Sequence, residues 1–182
     1  MAVDRVEKRL RKVASALDEA GIKYAVIGGN AVAAWVARVD PSATRSTKDV
    51  DLLVEANDID RITQVFEGIN FTREEVMGLT LFIDPDEPSV RSAVHLIWAN
   101  QPVRPDYKYP APSVDDVQRD PQGFCVLDLP ALVRMKLTSH RDIDRVHIRD
   151  LLSVGLIDQF TRESLPKELQ DRLTSIEEAI ED

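Results

Sequence analysis

Apolar residues at Val6, Leu10, Val13 and Leu17 recur every three to four positions, a period that predicts an amphipathic helix ended by Gly21. A short β-prone apolar run follows at 24–27 and is stopped by Gly28-Gly29. Residues 30–38 are Ala-rich and read as helix, and 40–46, punctuated by Pro41, reads as loop. A second strand is predicted over 50–54, with Asn57 or Asp58 as N-cap of a helix running to about Phe66. Strand-like runs at 71–76, 79–83 and 92–98, separated by Gly78 and by Asp84-Pro85-Asp86-Glu87-Pro88, predict a β-meander. Pro102, Pro105, Pro110 and Pro112 exclude a helix or central strand from 100–112, which reads as an ordered surface excursion. A short strand at 124–127 precedes helices over about 129–140 and 143–153 and a polar helix after Pro166. Strands gather in the first two thirds and helices in the last. The pattern predicts a mixed α/β (α+β) sheet flanked by helices, with a C-terminal helical part.

The 182 residues fit one domain, with its core over about 22–127 and its helical part over about 128–182. With 23 Lys+Arg against 32 Asp+Glu the net charge is −9, which argues against nucleic-acid binding by bulk charge but leaves room for a locally basic cleft. One Cys allows no internal disulfide and no zinc spacing exists. No apolar run approaches the ~18–20 residues of a membrane span, and the charged N-terminal segment lacks a signal-peptide core. A cytoplasmic protein with no membrane partner is expected.

Asp49 and Asp51, two positions apart at a strand start, point to one side. Two carboxylates that close repel unless a cation lies between them, and Mg²⁺ commonly takes one or two carboxylates plus substrate phosphates. A solvated strand end is the bland alternative. Upstream, Gly28-Gly29 sits where a strand turns into a helix, so backbone can approach a ligand closely and free N–H groups suit a phosphate. Arg45 and Lys48 add positive charge just before the carboxylates.

Gly28-Gly29-Asn30-Ala31 followed by Arg45-Ser46-Thr47-Lys48-Asp49-Val50-Asp51 resembles the signature of the polymerase-β-type nucleotidyltransferase superfamily. Its AbiEii-like and minimal nucleotidyltransferase branch is the most similar, because Lys136, Arg141 and Asp150-Leu151 resemble that branch's helical motif. The resemblance covers roughly 22–152. It implies Asp49 and Asp51 as ligands of Mg²⁺ (or Mn²⁺), and Gly28, Gly29, Asn30, Arg45, Thr47, Lys48 and Lys136 around the nucleotide. The implied reaction moves an NMP from an NTP to an RNA, protein or small-molecule acceptor. In that branch toxin–antitoxin roles are common, so an antitoxin partner is also implied. The superfamily's third carboxylate is replaced by His95, which implies altered acceptor activation, altered metal preference, or a catalytically silent nucleotide-binding protein; a structural histidine is the plain alternative. Asp84 and Asp86 are poor geometric substitutes.

On a helix over 129–140, Leu129, Leu132, Val133, Lys136, Leu137 and His140 share a face, so Lys136 either meets a phosphate or active-site carboxylate or snorkels to water. Arg141, Arg145 and Arg149 form a stripe that reads as a solvated face with local ion pairs, diluted by Asp142, Asp144 and Asp150. Trp35 and Trp98 are assigned to the core and Cys125 to an inert buried thiol, while base stacking by Tyr107 or Tyr109 has only weak support from the sequence.

Overall fold

In the computed structural model, which describes residues 2–181, helix α1 (Ala2–Glu19) buries Val6, Leu10, Val13 and Leu17 along one face, as their period requires. Gly21, at φ +63°, turns the chain into β1 (Tyr24–Ile27). Helix α2 (Gly28–Ala37) starts on the glycine pair itself, two residues earlier than composition predicts. Its N-cap, Ile27, is extended and contributes no side-chain cap to the first N–H groups of α2. Strand β2 (Val50–Val54) leads through a 3₁₀ turn to α3 (Ile59–Gly68); Asp58 is the N-cap, yet its carboxylate bonds Arg61 rather than the helix backbone.

The meander forms as read: β3 (Thr72–Val76), β4 (Leu79–Ile83) and β5 (Val94–Trp98). Met77 and Gly78 both have positive φ, 51° and 79°, which is the two-residue hairpin geometry that matches strand twist. Residues 90–92 are a 3₁₀ turn, so β5 begins two residues later than expected. After the irregular 100–112 segment, β6 (Val117–Arg119) pairs with β7 (Cys125–Leu127). Strand β6 escapes a sequence reading because only one of its three residues is apolar. Helices α4 (Leu129–Ser139) and α5 (Asp142–Ser153) follow, then α6 (Gln159–Ser164) and α7 (Lys167–Glu181). Helix α6 has no periodic apolar stripe and is set by its cap, the Asp158 carboxylate accepting from Thr161 N–H at 2.7 Å.

The seven strands make one sheet in the order β3-β4-β5-β2-β1-β7-β6. It is mixed: β1 runs antiparallel to β2, while β2 is parallel to β5 and β1 to β7. Central residues Val26, Leu52, Leu53, Val94 and Val126 are fully buried, the burial expected of strands with neighbours on both edges. Helix α1 packs with α3; α2 packs on the centre of the sheet and against α4 and α5. Trp35 is buried and donates its indole N–H to the Leu127 carbonyl at 2.9 Å, tying α2 to β7. Among the described residues no helix is long and apolar enough to cross a membrane.

Candidate active site

The register of the central strands builds the site. Asp51 pairs with Ile27 on one side and with His95 on the other, so three adjacent strands deliver the glycine turn, a carboxylate and an imidazole to the same place. Asp49 lies one residue before β2 and points to the same side. His95 Nδ1 lies 3.3 Å from Asp51 Oδ1 and 3.7 Å from Asp49 Oδ2. One donor atom from each of the three residues falls within 4.8 Å of the others, and all three are half-buried.

The other imidazole nitrogen settles the tautomer. Nε2 lies 3.3 Å from the Val90 carbonyl, which can only accept, so Nε2 carries a proton and Nδ1 faces the carboxylates. A hydrogen bond to Asp51 raises the His95 pKa above its ordinary value, against the opposing effect of burial, with Asp51 and Asp49 charge adding to the rise. A proton on Nδ1 and a divalent cation are therefore alternatives at this spot, each relieving the repulsion between two carboxylates.

Neighbouring side chains aim the carboxylates. Thr47 Oγ1 donates to Asp49 Oδ1 at 2.7 Å, and Asn30 Nδ2, on α2, donates to the Asp49 backbone carbonyl at 2.8 Å. Asn30, assigned to the nucleotide from the resemblance, is thus engaged in holding Asp49 to the helix start. Gly28 has φ +66°, and a Cβ there would lie 2.2 Å from Asp51 Oδ2. The missing side chain is what allows the turn to close on the carboxylate. Gly29 is hemmed by Thr47 and by His147 Nε2, 3.6 Å from where its Cβ would stand.

Two of the three basic residues are held by carboxylates of the chain, Arg45 by Asp150 and Lys136 by Asp144. Arg45 Nε bonds Asp150 Oδ2 at 2.6 Å, joining the loop before β2 to α5. The Lys48 residue is exposed, while its backbone carbonyl accepts from Arg9 Nη1 at 3.1 Å. Lys136 neither snorkels nor meets Asp49 or Asp51. It is buried and paired with Asp144 at 3.0 Å. Asp144, read as a surface charge on the arginine stripe, is 1% exposed and also accepts from Ser139 at 2.7 Å and Arg141 Nε at 2.8 Å. Arg145 pairs with Asp142, in keeping with a solvated stripe.

Two residues escaped the sequence reading. Arg9 is 2% exposed, its guanidinium bonded to Asp84 Oδ2 at 2.9 Å and Glu87 Oε2 at 2.7 Å as well as to the Lys48 carbonyl. The signal was its position three residues after Val6 and four before Val13, on the apolar stripe itself. Asp84 is consumed by this pair and supplies no third site carboxylate. The other is His147, buried on α5, with burial and then the Lys136 charge pulling its pKa down to about 4. Cys125 proves half-buried rather than buried, with burial pushing its thiol pKa up. The Tyr109 ring lies beneath the Arg134 guanidinium, 5.4 Å from its centroid.

The mixed sheet with its helices is a nucleotidyltransferase-like fold. A nucleotidyltransferase-like protein from Paracoccidioides brasiliensis superposes with a TM-score of 0.60 at 20% identity, over 98% of this chain and 90% of that one. The solution structure of the antibiotic-resistance factor ANT(2'')-Ia superposes with a TM-score of 0.53 at 17% identity, over 99% of this chain and 86% of that one. Its crystal structure with adenylyl-2''-tobramycin gives 0.56 at 16% identity, over 96% and 98%. No protein-family model matches the sequence, and no curated protein matches it.

Proposed function

We propose that the protein is a metal-dependent nucleotidyltransferase that moves an NMP from an NTP to a hydroxyl-bearing acceptor. The observation that carries this is the convergence of Asp49, Asp51 and His95 on a helix start whose first residue, Gly28, leaves no room for a side chain beside Asp51. Two carboxylates and an imidazole fit a divalent cation, and the nitrogen donor favours Mn²⁺ over Mg²⁺. Held by Asp49, Asp51 and His95, such an ion supplies positive charge to the phosphates of the nucleotide.

The chain's own residues do the rest. The uncapped N–H groups at the start of α2 donate to phosphate oxygens, favoured by the positive end of the helix dipole. Thr47 and Asn30 hold Asp49 in position, so its alignment is set before substrate arrives. The acceptor hydroxyl oxygen attacks the α-phosphorus, the bond to the bridging oxygen breaks, pyrophosphate leaves, and the hydroxyl proton passes to a base. A small-molecule acceptor is favoured over RNA by the net charge of −9 and by the adenylyl-tobramycin complex of a fold neighbour. An AbiEii-like ancestry with a protein acceptor and an antitoxin partner rests on the Lys136, Arg141 and Asp150-Leu151 resemblance alone.

The test incubates the purified chain with each labelled NTP, Mn²⁺ or Mg²⁺, and separate panels of aminoglycosides, total RNA and protein. Transfer to a small hydroxyl compound is expected, and Asp51→Asn lowers it about 100-fold or more, the scale of losing a preorganised electrostatic group. A chain that binds neither metal nor nucleotide overturns the proposal.

His95 favours one second reading, a nucleotide-binding protein without turnover. The His95→Asp variant separates the two. In a working enzyme it retains transfer and shifts its preference from Mn²⁺ towards Mg²⁺, read from rates in each metal and from Mn²⁺ binding by electron paramagnetic resonance. In a silent protein the wild type binds nucleotide without releasing pyrophosphate, and the aspartate restores release.

A further inference from the structure

A buried imidazole with no use in the scheme above lies against the glycine turn. His147 is 9% exposed, and its buried Nδ1 has no hydrogen-bond partner among the described residues. Its Nε2 is directed at Gly29, 3.6 Å from the point where a Cβ would stand, and Thr47 Oγ1 lies 3.4 Å from that same point. Gly29 has an ordinary helical backbone, so nothing in its conformation demands glycine; what glycine provides here is space. Two polar side chains from distant segments, one before β2 and one on α5, thus close on Gly29 at the start of a ten-residue helix, where a Cβ would already be tight at 3.2 Å from Thr47 Cβ.

We propose that His147 Nε2 is a phosphate contact of the bound nucleotide, donating its proton to an oxygen seated over Gly29. This rests on the nucleotidyltransferase reading and adds to it a residue from the C-terminal helices. The neutral ring has one N–H to place. An orphaned buried N–H is rarer in proteins than an under-satisfied acceptor, so the proton belongs on Nε2, where an anion can receive it, and the lone pair on the enclosed Nδ1. Thr47 keeps its own proton on Asp49 and offers the space only oxygen lone pairs. The donor that an anion requires therefore comes from His147 and the α2 backbone. Because α5 also holds Asp150, bonded to Arg45, docking of α5 on α2 carries the histidine to the turn.

The experiment is calorimetric titration of ATP, in the presence of Mn²⁺, into wild type, His147→Leu and His147→Gln. Binding of Mn²⁺ alone by electron paramagnetic resonance is the control. His147→Leu is expected to bind ATP about tenfold more weakly, the size of a lost hydrogen bond to a charged group, with Mn²⁺ affinity unchanged. His147→Gln, whose amide N–H replaces Nε2–H, retains affinity to within about threefold. If His147→Leu does not fold, Gly29→Ala fills the same space with a methyl group and is expected to weaken ATP binding while retaining Mn²⁺ binding. Wild type that binds ATP alongside a folded His147→Leu of equal affinity overturns the phosphate contact and leaves the proposed function standing. Equal weakening of both His147 variants with loss of Mn²⁺ binding also overturns it, since that marks a packing role. Wild type that binds no nucleotide overturns the proposed function, and the contact with it.

Discussion

Gly28→Ala is expected to abolish Mn²⁺ binding and to lower nucleotidyl transfer by on the order of 10³-fold, because one methyl group removes two parts of the site at once. The new Cβ would stand 2.2 Å from Asp51 Oδ2 and 3.0 Å from its Cγ, inside any tolerated contact. The Asp51 backbone cannot retreat, since it pairs with Ile27 on one side and His95 on the other in the middle of the sheet. Either the carboxylate rotates out of the cluster or Gly28 moves and drags the start of α2 with it. The backbone adds its own objection: φ is +66°, a conformation that costs an alanine roughly 1–2 kcal/mol. That strain alone is small beside the stability of a buried sheet, so the variant is expected to remain folded by circular dichroism. Metal titration of the folded variant is the check; unchanged Mn²⁺ affinity would show that Asp51 is no ligand.

Why the glycine turn and the Asp49/Asp51 pair were legible in the sequence, while His147 and Arg9 were not, follows from how far each depends on tertiary structure. A strand's two-residue period places Asp49 and Asp51 on one side with no knowledge of neighbours, and a Gly-Gly at a strand end announces backbone approach by itself. His95 was identified as the residue facing them from the meander's last strand, and the β2–β5 register does set it opposite Asp51. The fold class was legible for the same reason: periods and breakers are local. What failed were partners. Lys136 was correctly recognised as a cation on an apolar stripe, but its carboxylate, Asp144, looked like one of several charges on a solvated helix. Only the crossing of α4 and α5 buries it. Arg9 and Asp84 are 75 positions apart, and no spacing rule reaches that far. The strand-to-helix turn at the glycine pair was legible too; only its bound differs, since α2 starts on Gly28 rather than at residue 30.

The Lys136–Asp144 pair carries the second large effect, on stability rather than chemistry. Asp144→Asn is expected to destabilise the fold by about 3–5 kcal/mol, since it leaves an ammonium uncompensated in the interior. For a chain of this size that corresponds to a fall in Tm of roughly 10 °C or more. Lys136→Met should cost less, because the Asp144 carboxylate keeps Ser139 and Arg141 as donors. The two changes together should fall well short of the sum, which a double-mutant cycle reads directly. Proton linkage gives an independent check. Burial raises the Asp144 pKa, but hydrogen bonds from Arg141 and Ser139 and the Lys136 charge outweigh it and bring it from 3.8 to about 2. A carboxyl depressed on folding stabilises the native state fully above its unfolded pKa and loses that contribution as pH falls through the folded one. The shift is worth about 2 kcal/mol, so wild type should lose that much between about pH 4 and pH 2, and Asp144→Asn should lack this component of the loss. Identical acid-unfolding slopes in the two proteins would mean that Asp144 is not held as an ion in the interior, and that α4 and α5 are joined by packing alone.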